Sequence, residues 1–94
     1  MTQPTMALQE AIAHAAQARE EFERRCLIVW RLVETVEPTL ASEIGQLGFE
    51  DESAAAWICS PLAGFAGSPA EMVAAGRGEE ILARIRQTLH GFVA

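Results

Sequence analysis

Residues 26–33 read Cys26-Leu27-Ile28-Val29-Trp30-Arg31-Leu32-Val33, and this stretch decides the fold. Apolar side chains fill it on nearly every side, without the strict apolar–polar alternation of a half-buried strand. It is also far shorter than the roughly 18 residues of a membrane span. Followed outward, it belongs to a longer three-four spacing: Leu8, Ile12, Ala15, Phe22, Cys26, Val29, Val33 and Val36, interrupted only by Arg19. That is the seam of an amphipathic helix or a coiled coil. Where the helix turns apolar all round, it needs cover on several sides.

Length sharpens the point. A helix from about Thr5 to Thr35 runs to roughly 45 Å, whereas a compact domain of this size has a radius of gyration of about 13 Å. The helix would therefore overhang its own domain: either it breaks, as in a monomer with a bent or frayed first helix, or its N-terminal half packs against another chain, and a homodimer is expected. Phe22, Cys26, Val29, Trp30 and Val33 are the expected dimerisation residues.

Downstream, the punctuation marks four shorter helices. Pro38 suits the first position of the second, with Gly45 and Gly48 as stops. Glu50 or Asp51 is expected to cap a third helix through Ala54-Ala55-Ala56-Trp57, which ends at Pro61. Leu62 to Gly67 reads as a loop. Ser68-Pro69-Ala70-Glu71 is a capping box with Pro in the first turn, opening a fourth helix that stops at Gly76. Glu79 and Glu80 favour the N-terminus of the last helix. Its apolar face is Ile81, Leu82, Ile85 and Leu89, and Gly91 is its stop. The expected fold is all-α: one long N-terminal helix followed by a bundle of about four short ones.

Composition narrows the function. Thirteen acids against seven bases, all of them Arg, give a net charge of −6. Nucleic acid is a poor partner for such a chain, because phosphate affinity comes from Lys and Arg. Residues 39–58 imitate a helix-turn-helix, yet the second helix would open with Glu50, Asp51 and Glu52, and no base lies between Val33 and Arg77. Direct DNA binding by this chain is not expected. Anionic membranes are disfavoured on the same ground. The N-terminus has neither basic residues nor an apolar run of the targeting type. Cys26 and Cys59 sit in apolar contexts that suit reduced thiols. Together these point to the cytoplasm.

Chemistry-bearing motifs are scarce. His14, Cys26, Cys59 and His90 lack the close paired spacing of a metal site. There is no G-x-S-x-G elbow and no cysteine-nucleophile motif. Gly76-Arg77-Gly78 reads as a helix joint rather than a phosphate loop. Neither enzyme activity nor a cofactor is expected. The end of the chain is different: Arg86 and His90 share a helix face, and Phe92-Val93-Ala94 follows the Gly91 stop. Aromatic residues and Arg are the types enriched at binding hot spots.

From about Phe49 to Ala94 the chain resembles the toxin-binding domain of the Xre/MbcA/ParS antitoxins of bacterial toxin–antitoxin modules. The resemblance rests on an order of elements: Trp57-Ile58-Cys59-Ser60-Pro61, a loop with Gly64 and Gly67, Ser68-Pro69-Ala70-Glu71-Met72-Val73, the joint Gly76-Arg77-Gly78, and a last apolar helix with Ile85, Leu89 and Gly91. It implies an antitoxin that binds and silences a toxin, usually a RES-domain protein that depletes NAD, by laying its C-terminal region over the toxin's active site. Carried over by position, the blocking residues are Arg86, His90, Gly91, Phe92, Val93 and Ala94. Trp57, Pro61, Pro69 and Gly78 match as fold determinants. Residues 1–48 depart from the family, whose members commonly carry a DNA-binding helix-turn-helix there; a dimerisation segment is expected instead. A helical dimerisation or adaptor module, or a transcriptional co-regulator, without a toxin partner, is the alternative.

Overall fold

The computed structural model describes residues 3–89, with the backbone alone for Leu89. The described residues form five helices and no strand: α1 Pro4–Val36, α2 Pro38–Gln46, α3 Asp51–Ile58, α4 Pro69–Ala74 and α5 Gly78–Leu89. The expected Gly91 stop lies outside them.

Each boundary has a local cause. Pro4 and Pro38 occupy first-turn positions, where their missing N–H leaves no bond unmade. Pro38 also ends α1, because the residue before a proline is pushed out of the helical region; Glu37 sits at φ −133°, ψ 70°. The expected cap of α3 does not form. Neither Glu50 nor Asp51 caps it with its side chain; Glu50 is the N-cap residue but makes no side-chain bond. The Asp51 carboxylate instead accepts from Arg31 of α1 at 2.7 Å, and with Glu52 places negative charge at the positive end of α3.

The box on α4 is complete: Ser68 Oγ accepts from the Glu71 amide, and Glu71 Oε1 accepts from the Ser68 amide, each at 3.2 Å. The helix ends in a Schellman motif, with the Arg77 amide donating to Met72 O and the Gly76 amide to Val73 O. Gly76 takes the φ of 77° that this turn requires. A helix of six residues cannot hold itself together by propagation, so its caps matter. Ser68→Ala is expected to lower stability by about 1 kcal/mol and the melting temperature by about 4–8 °C in thermal circular dichroism. An unchanged melting curve would mean that Pro69 alone starts the helix.

One core joins all five described helices. Cys26, Trp30 and Val33 of α1 meet Leu40 and Ile44 of α2, Ala54, Ala55 and Ile58 of α3, Met72 and Val73 of α4, and Ile81 and Ile85 of α5. Paired alanines in α3 let its backbone approach α1 closely. The boundary at residues 48 and 49 follows the resemblance rather than the packing, since the core draws on both sides of it. Exposed ion pairs add fixtures at the rim, where each contributes little: Arg86 to Glu43 at 3.0 Å joins α5 to α2, and Arg31 ties α1 to α3.

The long helix overhangs, as its length implied. Every residue from Pro4 to Glu20 is exposed. The molecule measures 62 × 31 × 25 Å, with a radius of gyration of 17.2 Å against about 13 Å for a compact domain of this length.

Candidate interaction surfaces

Of the five expected dimerisation residues, Cys26, Trp30 and Val33 are buried in the chain's own core. Val29 is half-buried against it, and Phe22 is exposed. The seam is thus taken up by α2 and α3 from Cys26 to Val33, and is free before that stretch and at Val36. Its free part carries Leu8, Ile12 and Phe22. At the foot of the overhang, Phe22, Cys26 and Leu27 with Glu52, Ser53 and Ala56 line a cleft of about 510 Å³.

A second apolar surface lies beside the seam and shares Val36 with it. Ile28, Leu32 and Val36 follow one another at i, i+4, i+8 on α1 and are all exposed. Beside them Val29, Val33, Ala70, Val73 and Ala74 form an apolar groove between α1 and α4. In sequence this face was hidden inside the all-round apolarity of residues 26–33.

The third surface flanks α5. Leu47, Phe49, Trp57 and Leu62 line a cleft with Arg84, Ile85 and Thr88. Phe49 is exposed and Trp57 half-buried. The Arg84 guanidinium lies 5.7 Å from the Phe65 ring centre, a cation–π contact. Arg86, on the exposed side of α5, is held by Glu43. The other expected toxin-binding residues, His90, Gly91, Phe92, Val93 and Ala94, lie outside the described residues. Phe49, Trp57 and Arg84 were missed as surface residues because no sequence spacing joins the end of α2, α3 and α5.

The Arg31 guanidinium holds the Asp51 carboxyl below its usual range, with the Trp30 indole a lesser contributor. That indole N–H is buried and meets no acceptor among the described residues at hydrogen-bonding geometry. Burial, reinforced by the neighbouring Cys26, pushes the Cys59 thiol up to about 12. A thiol so placed is almost wholly protonated at neutral pH and is a poor nucleophile. Both cysteines are free. Among the described residues no group of three or more His, Cys, Asp or Glu is placed to hold a metal ion. No described helix is long and apolar enough to cross a membrane.

Comparison with protein-family models, curated proteins and solved structures returns no match. The functional reading accordingly rests on these three surfaces and on the order of motifs along the chain.

Proposed function

We propose that the chain is a cytoplasmic antitoxin of the Xre/MbcA/ParS type, which silences a RES-type, NAD-depleting toxin by steric occlusion. It acts by binding, with no catalytic residue and no cofactor of its own. The observation that supports the reading is that residues of the resemblance shape the fold while a surface beside α5, made of residues outside it apart from Trp57, is left open. Ser68, Pro69, Gly76 and Gly78 shape turns and helix starts. The flank of α5 meanwhile offers Phe49, Trp57, Arg84 and Arg86 at the surface, just before the segment that ends Phe92-Val93-Ala94. Aromatic rings and guanidinium groups around an apolar cleft are the usual make-up of a binding hot spot. The contact surface in this reading is that flank together with Arg86, His90, Gly91, Phe92, Val93 and Ala94.

The test is genetic. The product of the adjoining gene should arrest growth when expressed alone, and the full chain should restore growth. A chain lacking Phe92 to Ala94 should fail to protect while keeping its helical content. Equal protection by the shortened chain would remove the tail from the mechanism.

A second reading, a helical dimerisation or adaptor module, draws on a different observation: the exposed apolar seam of α1 from Leu8 to Phe22. The two readings share a homodimer and differ over the toxin. Direct DNA contact belongs to neither, given the three acids that open α3.

A further inference from the structure

The free half of α1 repeats the buried half. Leu8, Ile12 and Ala15 stand eighteen residues before Cys26, Trp30 and Val33, about five full turns at 3.6 residues each. Each exposed side chain therefore projects in the same direction as its buried counterpart. The buried trio is covered by α2 and α3; Pro4 to Glu20 has nothing over it. Leu8 and Ile12 are about 60% exposed and Phe22 55%. These three expose on the order of 300 Å² of apolar side chain, comparable to the largest apolar patch of a typical monomer, which is often functional.

We infer that this face is covered by the same segment of a second copy, running antiparallel and centred on Ala15. Three observations choose this occupant and this direction. First, two bulky residues are symmetric about Ala15: Leu8 and Phe22 each lie seven residues from it. An antiparallel copy sets Phe22 over Leu8, Ile12 over Ala18 and Ala15 over Ala15, so bulky pairs flank a centre of small residues. Second, a parallel copy would run into the body, because α2 and α3 occupy the very face of α1 that the copy must cover. Antiparallel pairing places the two bodies at opposite ends. Third, Arg19 lies near the middle of the seam. A parallel copy would set Arg19 against its own duplicate, whereas the antiparallel copy sets it beside Ala11, with its stem over apolar surface and its guanidinium in water.

In this register the copy's Leu8 lies over Phe22, and its first turn runs into the mouth of the cleft at the foot of α1, short of the covered Cys26. With the three alanines on the same face (Ala11, Ala15 and Ala18), the pairing buries on the order of 1,000 Å² in total, the lower end of what a specific interface needs. The two α5 flanks then face away from each other, and each is free for its own partner.

The inference rests on the homodimer reading, and cross-linking of variants that each add one cysteine to the buried Cys26 and half-buried Cys59 separates the two. Ala15→Cys should cross-link to itself through a short bis-maleimide in most of the protein, whereas the unsubstituted chain does not. Leu8→Cys alone should not, since its two copies sit roughly 20 Å apart at 1.5 Å per residue. Leu8→Cys mixed with Phe22→Cys should cross-link as a pair. Self-linking of Leu8→Cys as strong as that of Ala15→Cys would establish a parallel dimer and overturn the inference. A dimer by sedimentation without the Ala15→Cys link would overturn the register and leave the dimer. A monomer at high concentration would overturn both.

Discussion

Trp30→Ala should unfold the chain at moderate temperature. The indole is the largest side chain that α1 contributes to the core and is 4% exposed, among residues from four other helices. Emptying such a site costs about 3–5 kcal/mol, counting both lost transfer energy and the cavity left behind. A domain this short has a total stability toward the lower end of about 5–15 kcal/mol. The melting temperature should fall by roughly 15–30 °C, at about 4–8 °C per kcal/mol. Trp30→Phe is the informative companion. It keeps most of the apolar volume and removes an indole N–H that has no acceptor among the described residues, so it should cost far less than the alanine. If Trp30→Phe proved as damaging as Trp30→Ala, the N–H would be making a bond that the packing above does not include.

The second large effect is on association. Leu8→Asp together with Phe22→Asp places four carboxylates in the paired seam, where two apolar contacts are related by the dyad. Buried charge without a partner is expensive, so the dimer should weaken by at least 100-fold in sedimentation. Both residues are exposed within one protomer, so the body should keep its melting transition. Loss of that transition would mean that the free half of α1 is needed for the body to fold.

Local chemistry made much of the fold legible. The prolines placed two helix starts, Pro38 also set the end of α1, and Ser68-Pro69-Ala70-Glu71 gave a cap that forms as its residue types dictate. The cap of α3 was misread because a carboxylate has two uses at a helix start, and a cross-helix arginine, twenty residues away in sequence, took Asp51 for the other. Three of the five expected dimerisation residues, Cys26, Trp30 and Val33, belong to the chain's own core for a related reason. A seam from Leu8 to Val36 reads the same whether its cover is α3 or another molecule. Only the position of the body along α1 separates Cys26, Trp30 and Val33 from Leu8, Ile12 and Ala15. The surface beside α5 could not be read at all, since Phe49, Trp57 and Arg84 come together only by folding.

The antitoxin reading makes its most direct claim about inhibition. With the purified product of the adjoining gene, NAD consumption should fall to background once the chain is added in equal amount. The chain lacking Phe92 to Ala94 should leave consumption within about twofold of the uninhibited rate. Arg84→Glu, whose side chain is exposed on the α5 flank, should weaken inhibition by roughly 10-fold, in the range of a single hot-spot residue. NAD consumption that continues undiminished beside a stoichiometric amount of the full chain would contradict the account.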